Sequence, residues 1–169
     1  MLIDVQSLTR GQATFMDLDL TMASGDVPVS YQGNALSGRT TFKGRLVAGK
    51  EGVFTLEGVL SAALEGPCSR CLKQVRRVLT IRVRETFRPG VEQGAHASDG
   101  SYQYRGFMID LIPALRDDLV LAMPIQLLCR PDCKGLCPDC GADLNETTCH
   151  CAELRVLSES PFSKLKEWL

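Results

Sequence analysis

Eight cysteines fall in four close sets along this chain: Cys68-x2-Cys71, Cys129-x3-Cys133, Cys137-x2-Cys140 and Cys149-x-Cys151. Five of them crowd into residues 133–151. Thiols at that density form disulfides in oxidising compartments, and hold metal or do redox chemistry in reducing ones. The chain opens MLIDVQSLTRGQ, where Asp4 breaks the apolar run before a secretory hydrophobic region has formed. The longest apolar run, residues 119–125, contains Pro124 and falls far short of the roughly 20 residues a membrane span requires. The expectation is a soluble, cytoplasmic protein whose thiols stay reduced, with no membrane association and metal as the first use of the sulfur.

The stretch CPDCG at 137–141 carries the most specific signal. Two cysteines two residues apart can place both sulfurs on one metal while intervening N–H groups point at the thiolates. Gly141 then permits a left-handed exit. Eight thiols suffice for two zinc sites of four thiolates each. One division gives Cys137, Cys140, Cys149 and Cys151 a local site and joins Cys129 and Cys133 to Cys68 and Cys71. The other joins Cys129, Cys133, Cys137 and Cys140 and leaves the remaining four elsewhere; spacing alone does not choose. Four-thiolate zinc has no open position for water or substrate, so either division makes zinc a staple.

Two catalytic readings compete. Cys133-x3-Cys137-x2-Cys140 has the spacing of a radical-enzyme iron–sulfur cluster, but such clusters sit in barrels larger than 169 residues allow. Cys68-Ser-Arg-Cys71 could be a redox dithiol, yet it lies between strand-like segments and not at the start of a helix, where thiolates gain a lowered pKa. The chain has no phosphate-binding glycine loop and no Ser/His/Asp set, and His150, between Cys149 and Cys151, is superfluous as a ligand beside eight thiols. No small-molecule substrate is evident.

The elements that must position these residues follow from periodicity. TFMDLDL at 14–20, RTTFKGRLV at 39–47, VFTLEGVLSAAL at 53–64 and VRRVLTIRVRETF at 75–87 alternate with period two, and AGKEG at 48–52 is a turn. An antiparallel β-meander or small barrel over residues 1–89 is expected. In the last of these strands Leu79, Ile81, Val83 and Phe87 share one parity; Arg76, Arg82, Arg84 and Arg88 share the other. One face is core and the other basic. Residues 90–101, GVEQGAHASDGS, read as a flexible loop in which His96 has no role. Residues 102–128 read as a strand and a helix packed on the sheet: Leu111, Leu115, Leu119 and Ala122 recur at helical spacing, with Asp110 capping and Pro113 in the first turn. Residues 129–169 form the cysteine-rich module, closing on PFSKLKEWL, where Phe162, Leu165, Trp168 and Leu169 share a helical face. The class is α+β.

A chain of 169 residues, 44% hydrophobic and 23% charged, supports one core with or without a small appendage. Its formal net charge of -1 does not advertise nucleic-acid binding. Locally the balance differs: between Pro67 and Gly90, Arg70, Lys73, Arg76, Arg77, Arg82, Arg84 and Arg88 face the single acid Glu85.

CSRCL at 68–72, IDLIPALRDDLVLAMPIQLLC at 109–129, CKGLCPDCGADLN at 133–145 and PFSKLK at 161–166 together resemble the YceD family. That resemblance implies a role in accumulation of large-subunit (23S) ribosomal RNA and brings no catalytic residue with it. It points to a non-enzymatic assembly factor whose partner is ribosomal RNA or a large-subunit ribosomal protein or assembly factor. Arg70, Lys73, Arg76, Arg82, Arg84 and Arg88 are the candidate contacts to RNA backbone. A zinc-stapled adaptor that binds only protein, and a redox-active dithiol protein, are the alternatives.

Overall fold

The computed structural model describes residues 1–31 and 33–151. The amphipathic tail at 161–169 lies outside them. In chain order the elements are β1 (Leu2–Asp4), α1 (Gln6–Thr9), β2 (Phe15–Ala23), β3 (Ser30–Tyr31), β4 (Asn34–Ala48), β5 (Phe54–Pro67), β6 (Gln74–Pro89), β7 (Tyr102–Tyr104), β8 (Met108–Asp110) and α2 (Ile112–Ala122). The main sheet has the order β2-β4-β5-β6-β7, with β3 attached to β4; β2 and β5 pair antiparallel with β4, as an antiparallel meander requires, but β7 joins β6 in parallel, and β1 pairs antiparallel with β8 in a separate two-stranded sheet. The fold is mostly sheet with one packed helix, as the alternation predicts. No helix among the described residues is long and apolar enough to cross a membrane.

Alternation places mainly one parity of the long strands β2, β4, β5 and β6 in the core. Leu18 and Met22 of β2, Phe42 and Leu46 of β4, Phe54, Leu56, Leu60 and Leu64 of β5, and Val83 and Phe87 of β6 are buried. The register carries the pattern across: Phe42 lies opposite Leu20 and Leu60, and Leu46 opposite Leu56. Between them Gly44 faces Gly58. A Cβ on Gly44 would stand 2.1 Å from the Glu57 carbonyl oxygen and 2.8 Å from Phe42 Cζ, so the strands meet here only because both residues lack side chains. The register slips between Ser37 and Thr41, where Gly38 has φ +69 and relieves a bulge.

The predicted turn after β4 is present. Lys50–Gly52 form a single 3-10 turn, closed where the Gly49 N–H donates to the Val53 carbonyl at 2.7 Å. The helix begins as its sequence indicates: Asp110 Oδ1 accepts the Ile112 N–H at 3.1 Å, and Ala114, Leu115 and Leu119 are buried. Residues 90–101, expected to be a loop, hold turns that bond to β7 and β6. The Gln103 side chain accepts the Val91 N–H, the Gln103 N–H donates to the Ala95 carbonyl, and Asp99 pairs with Arg88. His96 is part of that stitching, its ring 4.4 Å from that of Tyr102 and Nε2 3.2 Å from Asp117 Oδ2.

The chain divides into two compact units. One comprises Met1–Gly66 with Arg76–Ile125 and contains the sheet and α2. The other comprises Pro67–Val75 with the chain from Gln126 onward. All eight cysteines belong to the second, because the β5–β6 connection contributes Cys68 and Cys71 to it.

Candidate metal centres and the basic strand

The two C-x2-C segments fold into the same knuckle. At Cys68-Ser-Arg-Cys71, the Cys68 N–H donates to the Lys73 carbonyl (2.8 Å) and the Leu72 N–H to the Cys68 carbonyl (3.0 Å). At Cys137-Pro-Asp-Cys140, the Cys137 N–H donates to the Ala142 carbonyl (2.8 Å) and the Gly141 N–H to the Cys137 carbonyl (2.9 Å). The residue after the second cysteine is left-handed in both, Gly141 at φ +72 and Leu72 at φ 61. Glycine adopts that conformation freely, whereas a leucine is held there at a cost of order 1–3 kcal/mol. The sequence pointed to Gly141 and held no sign of Leu72.

Each knuckle meets a second pair of thiols. Cys68, Cys71, Cys129 and Cys133 form one group and Cys137, Cys140, Cys149 and Cys151 the other, the four sulfurs of each lying within 4.8 Å of one another. This is the first of the two divisions that the spacing left open. None of the eight is in a disulfide. Both groups lie close enough to hold a metal ion, and with four protein sulfurs neither offers an open coordination position.

The surroundings favour thiolate at some sulfurs and oppose it at others. Burial works against ionisation of Cys68, but N–H groups of Cys71, Arg70 and Cys129 directed at it outweigh burial and lower the thiol to about 6. Cys137 is lowered to about 6 by the N–H groups of Cys140 and Asp139. Their companions go the other way. Cys129 is pushed up to about 12 by desolvation and by its Cys133, Cys71 and Cys68 neighbours, and Cys151 to about 12 by Cys140 first and then burial. Four thiols this close cannot all ionise on their own; a divalent cation held by the four would remove that conflict by favouring thiolate at each.

Three further residues frame the first centre. The Arg70 guanidinium donates to the Cys133 carbonyl at 2.7 Å. Asn145 reaches Cys133 Sγ with Nδ2 at 3.5 Å, while its Oδ1 accepts the Lys134 N–H at 2.9 Å and Arg130 Nη2 at 2.8 Å. Lys73 pairs with Asp143 at 2.9 Å and with Glu146. Outer partners of this kind orient ligands. Sequence reasoning missed Asn145, whose only signal is its place shortly after the second knuckle.

The candidate RNA contacts are mostly occupied within the chain. Arg76 Nε lies 3.3 Å from Glu65, Arg84 Nε lies 3.5 Å from Glu57, and Arg88 pairs with Asp99. Arg70 and Lys73 are engaged as above, and Arg82 has no ion pair among the described residues. Acids on neighbouring strands explain the pattern: Asp17 and Asp19 of β2 pair with Arg45 and Lys43 of β4, and Arg45 lies opposite Glu57. The outward face of the sheet therefore alternates in sign, and the arginine row of β6 is one side of a charge ladder.

A mostly antiparallel sheet in one unit and two knuckle-built four-thiol groups close enough to bind metal ions in the other define a sheet protein with two candidate metal centres. The chain belongs to the family described as large ribosomal RNA subunit accumulation protein YceD, which matches residues 56–168. An uncharacterized protein of Mycobacterium tuberculosis is 33% identical over 102 residues, covering 59% of this chain and 49% of its own length. The chain thus spans about half the length of that relative. The chloroplastic large ribosomal RNA subunit accumulation protein YCED homolog 1 of Zea mays is 43% identical over 54 residues, 31% of this chain and 18% of its own length. Its Arabidopsis thaliana counterpart is 37% identical over 60 residues, 35% of this chain and 19% of its own. No solved structure matches the chain.

Proposed function

We propose that this protein is a non-enzymatic cytoplasmic factor that supports accumulation of large-subunit ribosomal RNA. Two zinc ions staple its cysteine unit, and arginines of β6 contact RNA backbone. The observation that carries the first half is the closure of both thiol groups: four sulfurs each leave no position for a substrate, and the family is named for an accumulation role. Zinc fits the spacing. Four Zn–S bonds of about 2.3 Å in a tetrahedron set sulfurs about 3.8 Å apart. Cys68 and Cys133 stand 3.8 Å apart, and Cys71 and Cys129 3.6 Å. Elemental analysis is expected to give two zinc ions per chain in a colourless protein. A chelator should first empty the centre of Cys137, whose Cys140 is exposed and whose Cys149 and Cys151 are half-buried, because Cys68, Cys71 and Cys133 are buried in the other. Iron with visible absorption overturns the assignment.

Contact with RNA backbone is supported by how weakly the arginines are held. The Arg84 and Arg76 side chains are 81% and 67% exposed. Exposed ion pairs contribute about 0–1 kcal/mol, so exchanging Glu57 or Glu65 for a phosphate is nearly neutral. Arg82→Gln with Arg84→Gln is expected to weaken binding to fragments of large-subunit rRNA and leave the fold intact. Each arginine–phosphate pair removed in this way should flatten the plot of log affinity against log salt by roughly 0.7 to 0.9, because fewer counterions are released. Wild-type protein that binds no such fragment at low salt ends this reading. The interleaved Asp17, Asp19, Glu57 and Glu65 favour a second reading, in which the zinc-stapled protein is an adaptor recognising a protein of the large subunit. That reading expects pull-down of a ribosomal protein or assembly factor, with negligible RNA affinity.

A further inference from the structure

β6 extends over Gln74–Pro89, yet β7 pairs with it only at Phe87, Arg88 and Pro89. On the side away from β5, residues 76–86 have no strand partner among the described residues. A strand edge with unpaired N–H and C=O groups is a template for another strand. The core face near this edge is also incompletely covered. Leu79 and Ile81 share the parity of buried Val83 and Phe87 but are only half-buried. On the opposite face Arg76, Val78, Thr80, Arg82 and Arg84 are exposed, Val78 by 65%.

These features select an occupant. A second copy pairing through the same edge would set arginine rows against each other, and like charges opposite one another in a sheet destabilise the pair. Arg77, which has core-facing parity but is exposed, adds to that repulsion. A strand with acids on one face would instead lie across from Arg76, Arg82 and Arg84, while apolar residues on its other face would cover Leu79 and Ile81. We propose that the free edge of β6 at residues 76–86 takes up, by strand addition, an extended protein segment in which acidic and apolar residues alternate. Main-chain hydrogen bonds would supply affinity and the alternation would supply specificity. The inference goes beyond the RNA reading: phosphates would approach the face of the sheet, whereas this segment joins in its plane.

The test uses the full zinc-loaded chain and a fluorescein-labelled decapeptide of alternating Glu and Val. Saturable binding is expected, with increased amide-exchange protection within residues 76–86. Two further peptides carry N-methyl groups on either the glutamates or the valines, which removes the backbone donors of one edge at a time and leaves charge unchanged. One of the two should bind at least about tenfold more weakly, since several hydrogen bonds are removed together. Arg82→Glu with Arg84→Glu should weaken the parent peptide as well. No saturable binding, equal binding of all three peptides, or protection confined to other residues overturns the proposal. Protection of 76–86 by an rRNA fragment and not by the peptide also overturns it, assigning the edge to nucleic acid.

Discussion

Replacing Cys137 with serine is expected to unfold residues 137–151 and lower the metal content from two ions per chain to one, while the sheet keeps its protection. The reason is the poverty of the cysteine unit in apolar burial. Among its described residues the buried side chains are Cys68, Cys71, Leu127, Cys133 and Cys137, with Val75, Leu128 and Leu136 only partly buried against the first centre. A segment so thin in core cannot offset its own chain entropy. Structural zinc supplies about 10–16 kcal/mol in small zinc-binding peptides, more than most whole domains have in reserve. Serine removes the sulfur at which the Cys140 and Asp139 N–H groups are directed, leaving three thiols where a four-sulfur site needs four. Hydrogen exchange reads the result at the Cys137 and Gly141 amides, which donate within the knuckle, and at the Leu144 amide, which donates to the Gly135 carbonyl just before it. Cys68→Ser should remove the other ion and leave the Cys137 centre loaded, because its four ligands lie within fifteen residues and close a short loop. Equal loss of protection in residues 39–64 of either variant would mean that the two units unfold as one.

How much of this was legible in the chain depends on the range over which each signal acts. The strands, the turn at 48–52 and α2 follow from local periodicity, which the buried parities of β4 and β5 and the buried Leu115 and Leu119 match. The knuckle at Cys137 was legible because ligand spacing and the glycine that closes it sit in five consecutive residues. Its twin at Cys68 was half legible: the spacing is there, but Leu72 takes a conformation that its type disfavours. Which thiols share a centre was not legible, since Cys68 and Cys129 meet across a gap in sequence that only the fold closes. The pairing of β1 with β8 was likewise invisible, because it joins Leu2 to Asp110 across two very short strands. The charge of the basic strand was legible only in part. Counting residues 67–90 finds arginines, but a strand's field includes its neighbours, and Glu57, Glu65 and Asp99 enter only through pairing and loop closure.

Gly58→Val supplies the reciprocal case, because it should destabilise the sheet and spare the cysteine unit. By strand propensity alone valine at a mid-strand position is favoured over glycine, by up to about 1 kcal/mol. Contact geometry opposes it. A Cβ at position 58 would lie 2.5 Å from the Lys43 carbonyl oxygen, 2.7 Å from Gly44 Cα and 2.7 Å from Phe42 Cζ. Two of those three atoms are backbone and cannot rotate away, so β4 and β5 must part at the centre of the buried Phe42, Leu46, Leu56 and Leu60 cluster. Overpacking with backbone displacement costs about 3 kcal/mol or more, which outweighs the propensity gain. Chemical denaturation followed in the sheet should therefore show a lower midpoint, while metal stays bound at the Cys137 centre. A companion Phe42→Leu change separates the two sources of strain. If the ring alone were the obstacle, the double variant would recover the stability of Phe42→Leu by itself. The backbone contacts with Lys43 and Gly44 predict that it will not, and full recovery would refute the close approach of β4 and β5 as the reason this position is glycine.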